Sequence, residues 1–476
     1  MLLFHQRMQL RRQILPHFGH TQMGCLLGVL FSLASCNQIP SQRPLEEGNI
    51  NLRSAYAAAQ TGQNGEVVTN WLRSFKDPQL TRAVETALAN NQDLQATAIL
   101  LKSARQGTII GRAARLPSLT ASGNYSLSRS NSDTNDSYGF SLNASWEPDV
   151  WGRLRDLEIA SVADYHAAVA DFRSARLSLA INTAQSWCDL ITAESQLTLA
   201  IETLKSFRKN YQIIQRGYKL GTLRPLDDAF GRSNVADAEG SLKSSQLARD
   251  EAARNLQILM GQYPDAQLIS AFELPKTPAV RAGLPSGLLE RRPDLTSRRL
   301  QILASAKIAD ADRKDLLPNF QLSASSGSSS PELRDLLDPA NLATSLAASI
   351  AQSLYSGGRL TANAKQSLAS NESQIKLYER DVLNAFREVE SALATDTSLK
   401  KQEEFLLTEV ENTALAEKWA ESNFVEGLDV GGSRPSILEV LEAQQRALNA
   451  RASLIILRNN RLQNHLDLLL ALGGSI

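Results

Sequence analysis

The chain has 476 residues, which is enough for more than one domain or for a single elongated one. Fifty basic residues balance fifty acidic residues, so the whole-chain charge gives no indication of a nucleic-acid partner. Aromatic residues make up 6% of the sequence, a share that suits helices and polar-faced strands better than a large aromatic enzyme core.

A short apolar stretch lies near the N-terminus. It reads MGCLLGVLFSLASC from Met23 to Cys36, and the basic residues before it are Arg7, Arg11 and Arg12. An apolar core of about a dozen residues is too short to span a bilayer and is typical of a secretory signal. A buried helix or a membrane anchor is the alternative. We predict that residues 1–35 are a signal peptide.

The end of this stretch, Leu33-Ala34-Ser35-Cys36, resembles the lipobox of bacterial lipoproteins. The resemblance implies cleavage before Cys36 and attachment of a lipid to its sulfur. Residue 37 is Asn rather than Asp, which favours the outer membrane over retention at the inner one. Residues 36–77 would then form a lipidated N-terminal extension.

The rest of the chain is internally duplicated. At an offset of 201 residues, Leu116-Pro117 matches Leu317-Pro318, and the segments around both pairs have similar patterns. We predict two repeats, residues 78–275 and residues 276–476, with the same order of elements.

Each repeat contains two segments in which apolar and small polar residues alternate. The predicted strands are about 118–128 and 138–147 in the first repeat and about 319–327 and 344–355 in the second. An apolar face opposite a small, uncharged polar face is typical of transmembrane barrel strands, which need roughly 9–11 residues to cross on a tilt. A half-buried soluble sheet would produce the same alternation.

Long helices follow the strands. The predicted helices are about 152–217 and 225–262, then about 358–423 and 435–472. Apolar residues recur every three or four positions in two of them: Tyr165, Ala168, Phe172, Ala175 and Leu179, and Ile375, Tyr378, Val382, Ala385, Val389 and Ala392. This spacing predicts coiled-coil seams in antiparallel hairpins. About 65 helical residues span roughly 100 Å, too long for a compact domain.

The requirements of a membrane environment connect the cysteine, the strands and the long helices. The lipobox-like cysteine places the chain at a membrane, where open sheet edges are not tolerated. Four strands cannot close a barrel, since about eight are the minimum. We therefore predict that the chain shares its barrel with further copies of itself and turns its small polar face to a water-filled lumen.

Four motifs then carry a family resemblance. They are LPSGLLERRPDL (284–295), SWEPDVWGRLR (145–155), QSLYSGGRLTA (352–362) and RGYKLGTLRPLD (216–227). With the duplicated layout, they resemble the TolC-like outer-membrane factors, and more closely the lipoprotein branch typified by OprM and NodT. The resemblance covers nearly all of the mature chain.

The resemblance implies an α+β membrane protein that is a homotrimer. Four strands per chain would close a twelve-stranded barrel in outer-membrane lipid, and the helices would form a long antiparallel coiled-coil α-helical barrel in the periplasm. Such proteins are passive exit ducts for small molecules. A periplasmic adaptor protein joins them to an inner-membrane transporter, and nucleic acid is not an expected partner.

The resemblance also suggests functional turns. The adaptor-docking tips would be Gly221, Thr222 and Leu223 in the first repeat and Gly427 and Leu428 in the second. The glycines could instead merely terminate helices. The second turn, EGLDVGGSRPS, is longer than the family pattern, so its contacts with an adaptor stay open.

The acids near the tips are Asp227, Asp228 and Asp429. They could narrow the tunnel, although solvated turn acids are the favoured interpretation.

Glycines also mark the passage from strand to helix. Gly152, and Gly357 with Gly358, lie where the chain must turn sharply and where unusual backbone angles are expected. In the family these regions join barrel to tunnel. Pro293 fits the first turn of a helix, whereas the sequence assigns no chemistry to Arg291 or Arg292.

No catalytic pattern is present. The stretch YSGGRLT lacks the Lys-Ser/Thr of a phosphate loop, and no serine lies in a Gly-x-Ser-x-Gly elbow. After signal cleavage His166 and His465 are the only histidines, and Cys188, predicted to be a buried thiol, has no disulfide partner. We predict neither an enzyme nor a cofactor.

The main alternative to an outer-membrane channel is a lipid-anchored coiled-coil scaffold or adaptor without a channel.

Overall fold

The computed structural model describes residues 56–58, 71–130, 133–270, 273–278, 285–426 and 437–474. The predicted signal peptide, Cys36, Gly427, Leu428 and Asp429 lie outside the described residues. None of the helices in the described ranges has an apolar stretch long enough to cross a bilayer.

Each half of the chain contributes two shorter helices, two strands and two long helices, in that order. In the first half these are α1 (Pro78–Asn90), α2 (Gln92–Ala113), β1 (Ser118–Ser130), β2 (Asp133–Trp146), α3 (Arg153–Lys219) and α4 (Pro225–Leu259). In the second half they are α5 (Pro285–Arg291), α6 (Pro293–Lys314), β3 (Asn319–Ser330), β4 (Leu342–Ala351), α7 (Arg359–Glu426) and α8 (Ile437–Ala471). Four of the helices begin with a proline, whose missing N–H costs nothing in the first turn.

Each of the four strands has at least one limit that differs from the predicted one. β1 and β3 extend to Ser130 and Ser330, about two and three residues beyond their predicted ends. β2 begins about five residues earlier, at Asp133, because it pairs with β1 along its whole length. β4 begins at Leu342, about two residues earlier, and ends at Ala351, about four residues before the predicted end. Ala351 pairs with Asn319, the first residue of β3, so the ladder has no partner beyond it.

The chain divides into two compact units. The first contains residues 111–158 and 305–371, and its four strands form one antiparallel sheet in the order β1-β2-β3-β4. The second contains residues 159–304 and 372–474 together with the described residues up to 110, and it is helical.

The larger core of the second unit joins apolar side chains from α1, α3, α4 and α8. Trp71, Leu80, Ile181 and Leu466 are almost completely buried in it. Cys188 is buried among them, as predicted. Burial raises the pKa of the Cys188 thiol to about 12, so the thiol is protonated and unreactive at neutral pH.

The two predicted coiled-coil seams have different outcomes. The seam on α7 is confirmed, because Val382, Ala385 and Val389 are buried in a second core cluster. The seam on α3 is confirmed only in part. Leu179 is buried, and Phe172 and Ala175 pack against the larger core. Nearer the start of the helix Tyr165 is only half-buried, and the buried stripe there is Ala160, Ala163, Ala167 and Ala170. Periodicity indicates that a helix has an apolar stripe, but not which of two adjacent stripes its own chain covers.

Candidate membrane sheet and connecting turns

The pairing register sorts the side chains of the sheet into two faces. Leu119 on β1 lies opposite Ala144 on β2, and Ser122 lies opposite Ser141. The first set, called the apolar face, is Leu119, Ala121, Gly123, Tyr125, Leu127, Tyr138, Phe140, Leu142, Ala144, Trp146, Phe320, Leu322, Ala324, Ser326, Ser328, Leu342, Thr344, Leu346, Ala348 and Ile350. At the loop end the same face continues with Arg129, Thr134, Asp136 and Ser330. The second set, called the hydroxyl face, is Thr120, Ser122, Asn124, Ser126, Ser128, Asn135, Ser137, Gly139, Ser141, Asn143, Ser145, Gln321, Ser323, Ser325, Gly327, Ser329, Ala343, Ser345, Ala347 and Ser349. At its two ends this face continues with Ser118, Ser130, Asp133, Asn319 and Ala351.

Aromatic side chains lie near both ends of the apolar face. At the end with the strand-connecting loops, the rings of Tyr125 and Tyr138 are 5.0 Å apart. At the end where the strands continue into helices, the rings of Trp151 and Phe320 are 6.2 Å apart, and the Trp146 indole N–H donates to a backbone carbonyl. Amphipathic rings at both edges of an apolar band are typical of strands that cross a membrane. These aromatics are scattered along the sequence, and only the register brings them into two rows.

The height of the apolar band fits a membrane. Tyr138 and Trp146 are eight residues apart on β2, which corresponds to about 27 Å along the strand. At a strand tilt of about 40°, this becomes roughly 21 Å across the membrane. Outer-membrane barrels have apolar bands of roughly 25 Å. Each strand can therefore cross the hydrocarbon once.

The chain turns from β2 into α3 at Gly152. Its φ of +75° lies in the left-handed region that a residue with a Cβ rarely adopts. The Asp149 carboxylate accepts hydrogen bonds from two N–H groups in the first turn of α3, at 2.9 and 2.8 Å, and so caps the helix. At the matching turn before α7, Gly357 and Gly358 have φ of +60° and +82°.

Two lysines of α6 brace the Gly152 turn. Lys314 donates to the Gly152 carbonyl at 3.1 Å and also contacts the buried carboxylate of Asp156. Lys307 reaches the same carboxylate at 3.3 Å. Because Asp156 is buried with two cationic partners, it holds the start of α3 against α6.

Arg292, from the RRPD motif, is a structural residue in the second unit. Its guanidinium donates to Asp294 at 2.8 Å, to Glu388 at 2.7 Å and to the backbone carbonyl of Ala471 at 3.2 Å. These contacts connect α6, α7 and α8. The sequence suggested no role for Arg292, because two of its three partners are far away along the chain.

The turn between α3 and α4 contains Gly221, Thr222 and Leu223. Gly221 has a φ of +72°, and both Gly221 and Thr222 are exposed. Leu223 is half-buried and packs against the small apolar cluster that includes Ile214. The other two residues of the predicted tips, Gly427 and Leu428, are not among those that the structure describes.

The expectation of solvated acids at this turn is wrong for Asp227 and Asp228, which are both buried. Asp227 accepts from the Arg224 backbone N–H at 2.9 Å and from its guanidinium at 3.2 Å. Hydrogen bonding to the Arg224 side chain holds the pKa of Asp227 below its usual range. Asp228 pairs with Arg232 at 2.7 Å. The arginines are three and four residues away, so the sequence did contain this signal.

The histidines and acids of the described ranges form no group that could hold a metal ion. His465 is buried, and its ring lies 5.8 Å from that of Phe75 in an edge-to-face arrangement. Burial, with a smaller effect of Arg461, lowers the pKa of His465 to about 4, so this imidazole is neutral at physiological pH. His166 is exposed on α3 and far from it in sequence.

Known proteins resemble this chain over most of its length. The family described as Outer membrane efflux protein matches residues 83–262 and 284–474. The probable efflux pump outer membrane protein SepC of Pseudomonas putida is 30% identical over 462 residues, covering 93% of this chain and 95% of that protein. The cation efflux system protein CusC of Escherichia coli is 28% identical over 464 residues, covering 94% and 97%.

Solved structures share the fold. The CmeC outer membrane channel of Campylobacter jejuni superposes with a TM-score of 0.82 over 93% of this chain and 95% of its own, at 22% identity. A crystal structure of CusC superposes with a TM-score of 0.76 over 92% of this chain and 99% of its own, at 25% identity.

Proposed function

The chain belongs to the outer membrane efflux protein family, and we propose that three copies of it close one channel through the outer membrane. Its relatives are outer-membrane channels of efflux systems, and export of small molecules through such a channel is the function of this chain. The two-faced, four-stranded sheet with open edges is the observation that carries the proposal of a shared barrel.

The two edges of the sheet need strands from other copies as hydrogen-bonding partners. Among the described strands, β1 pairs only with β2 and β4 pairs only with β3, so each leaves one edge open. Unpaired backbone N–H and C=O groups are not tolerated in hydrocarbon. Four strands are too few for a barrel, which needs about eight, whereas three copies supply twelve. In this arrangement β1 of one copy pairs with β4 of the next.

The long helices also leave apolar surface uncovered. On α7, Phe405 and Trp419 lie two heptads apart on one stripe and are 75% and 63% exposed. On α2, Ile99, Leu100 and Ile110 are exposed as well. Large apolar side chains at coiled-coil spacing are expected to be covered by another helix. Helices of neighbouring copies would cover them in a trimer.

The channel would be the passive outer-membrane component of a three-part export system. An inner-membrane transporter would supply the energy, and a periplasmic adaptor would connect it to the tips of the helical tunnel. We place docking at Gly221, Thr222 and Leu223, together with Gly427 and Leu428. The exposure of Gly221 and Thr222 supports this assignment for the first of these turns. The cargo is set by the transporter and not by this chain.

The docking assignment can be tested at Gly221. Replacement by Trp adds bulk at the turn, whereas Gly221→Asn is a matched control, because Asn tolerates the left-handed backbone without that bulk. We expect Gly221→Trp to impair export in cells while trimers form normally, and Gly221→Asn to export normally. Normal export by the Trp variant would remove the docking assignment.

We also infer that Cys36 carries the lipid anchor. Wild-type protein should incorporate labelled palmitate in cells, and the Cys36→Ala variant should not. Labelling that persists in the variant would contradict the anchor.

The channel itself is tested by purification and reconstitution. Protein extracted from outer membranes with detergent should have the mass of a trimer and conduct ions in planar bilayers. The Cys36→Ala protein should conduct equally, because the lipid is not part of the bore. A monomer that is released without detergent and never conducts would refute the channel and favour a lipid-anchored coiled-coil scaffold.

A further inference from the structure

A cavity lies at the helix end of the sheet, where three connections between strands and helices meet. Its volume is about 380 Å³, within the range of roughly 300–1,000 Å³ that is usual for small-ligand sites. The walls come from the turn between β2 and α3, the junction of α6 with β3 and the segment between β4 and α7. All three of these connections belong to the first compact unit.

The cavity has the depth of lipid headgroups when the sheet crosses a membrane. Phe320 in its wall belongs to the apolar face, and the ring of Trp151 lies 6.2 Å from that of Phe320. Asn319 and Ala351, which form the last pair of the β3–β4 ladder at this end, line the cavity as well. A headgroup layer is roughly 5–8 Å thick on each side of the hydrocarbon, which corresponds to about two residues of strand. The cavity therefore begins where the apolar band ends.

Charges of both signs line the cavity next to this apolar edge. Arg153 pairs with Glu147 at 2.8 Å and more loosely with Asp315 at 3.4 Å. Burial raises the pKa of the Asp315 carboxyl, and the positive charges of Arg153 and, more weakly, Arg359 only partly offset this effect. Arg359 is exposed, and within the described ranges its side chain makes no hydrogen bond or ion pair. One guanidinium and one carboxylate of the cavity can therefore each take a further partner.

We propose that this cavity binds the headgroup of a zwitterionic glycerophospholipid that carries a primary ammonium group. The inference rests on the proposed function, because it requires the sheet to cross the outer membrane with its helix end toward the periplasm. The Arg359 guanidinium donates to the phosphate oxygens, a charge-assisted contact for which arginine is well suited. The ammonium group donates to the Asp315 carboxylate, and the acyl chains lie along the apolar face beside Phe320.

A zwitterion fits the charges of the cavity better than an anionic headgroup does. A phosphate without a neighbouring cation would meet the three carboxylates that line the cavity, those of Glu147, Asp149 and Asp315. An ammonium group next to the phosphate converts the repulsion at Asp315 into a hydrogen-bonded pair. A choline headgroup has no N–H to donate, so it should bind more weakly than an ethanolamine headgroup.

Native mass spectrometry of the delipidated full-length trimer tests the site. The protein is titrated separately with a phosphatidylethanolamine, a phosphatidylglycerol and a phosphatidylcholine that have the same acyl chains. We expect wild-type protein to bind phosphatidylethanolamine most tightly, with one molecule for each cavity. Arg359→Gln should weaken this binding about tenfold, because a charge-assisted hydrogen bond is lost.

Arg155→Gln is the matched control. Arg155 is exposed in the first turn of α3 and is not among the residues that line the cavity, yet its substitution removes the same charge. This variant should bind phosphatidylethanolamine as wild-type protein does. An Arg359→Gln protein that binds this lipid as tightly as the Arg155→Gln protein would overturn the proposal, and so would equal affinities of wild-type protein for the three lipids.

Asp315→Asn tests the other end of the headgroup. It should weaken the binding of phosphatidylethanolamine while leaving phosphatidylglycerol bound at least as tightly as in wild-type protein. An unchanged preference for ethanolamine would contradict the assigned role of Asp315. Soluble phosphoethanolamine and inorganic phosphate are added as competitors. Displacement of the lipid by either compound at an equal concentration would show that the site takes a soluble phosphate compound, which overturns the assignment to lipid.

Trimer mass and ion conductance are measured on the same preparations, so that the two proposals can fail separately. Conducting trimers without a preference for phosphatidylethanolamine refute only the headgroup site. If wild-type protein neither forms trimers nor conducts ions, the proposed channel fails and the headgroup site fails with it. Should Arg359→Gln not assemble, Arg359→Lys replaces it, because Lys keeps the charge but loses the forked contact and should still bind the lipid more weakly than Arg359 does.

Discussion

Substitution of neighbouring residues by arginine provides the sharpest test of which face of the sheet meets the lipid. Leu142 belongs to the apolar face and Ser141 to the hydroxyl face, on the same strand and at the same depth. Leu142 lies four residues from Tyr138 and four from Trp146, so it is about 14 Å of strand away from each aromatic row. Leu142 is therefore near the middle of the apolar band.

The expected penalty follows from this depth. An arginine on the lipid face near the bilayer midplane destabilises a barrel by about 2–4 kcal/mol, which lowers the folded-to-unfolded ratio roughly 30- to 1000-fold per chain. Little packing is lost with Leu142, because it is 40% exposed and lies between Ala121 and Ser326. Ser141→Arg enters water and loses the hydrogen bonds of Ser141 with Ser122 and Asn143. Both bonds are exposed, so each is worth about 1 kcal/mol at most.

The assay is the urea dependence of trimers folded into lipid vesicles, measured by tryptophan fluorescence and by migration of unheated samples on gels. Leu142→Arg should shift the unfolding midpoint to clearly lower urea than Ser141→Arg. Ala144→Arg, on the same face and two residues nearer to Trp146, should have an intermediate effect, since the penalty falls toward the interface. Equal midpoints for Leu142→Arg and Ser141→Arg, or the reverse order, would refute the orientation of the sheet.

Three further predictions concern the helical unit. The pKa of His465 is lowered from about 6.5 in the unfolded chain to about 4 in the folded protein, so protons bind the unfolded state more tightly. The free energy of unfolding should therefore fall by about 2 kcal/mol from pH 7.5 to pH 5. His465→Asn should lose this part of the pH dependence in thermal unfolding, and identical pH profiles would contradict the assignment. Arg292→Met should lower the free energy of unfolding by about 1–2 kcal/mol in chemical denaturation. The loss stays this small because the partners Asp294 and Glu388 are partly exposed to water. Arg292→Lys should recover less than half of the lost stability. Asp227→Asn should cost about 1 kcal/mol, seen as faster hydrogen exchange at the start of α4, because it weakens the cap. An unchanged exchange rate would show that the cap is not stabilising.

The sequence alone was informative wherever the signal is local. Alternation over a few residues predicted four strands with one apolar and one small polar face, and heptad spacing predicted the seam that Val382, Ala385 and Val389 bury. Gly152, Gly357 and Gly358 were singled out because a sharp turn from strand to helix needs unusual backbone angles, and all three adopt a positive φ. Each of these properties depends on backbone geometry and on neighbours within one or two helical turns.

The sequence analysis nevertheless missed the arginine partners of two acids that lie only three and four residues away along the chain. Acids in a turn are usually solvated, and Asp227 and Asp228 were interpreted in that way. The structure buries both and pairs them with Arg224 and Arg232. The spacing of these pairs was visible in the sequence, and the error lay in treating turn acids as free.

Only the tertiary structure decided what depends on distant segments meeting. The strand register placed Tyr125 next to Tyr138, and the turn after β2 placed Trp151 next to Phe320, and these two contacts lie at the two edges of the apolar band. At the start of α3, packing selected the stripe of Ala160, Ala163 and Ala167 over the adjacent stripe that contains Tyr165. A register slip of one residue would exchange the two faces of a strand and is disfavoured by the alternation, but a slip of two residues keeps the faces, so only the pairing sets the register. Periodicity therefore determined that the strands have two faces, whereas pairing across nearly two hundred residues aligned those faces into one membrane-crossing sheet.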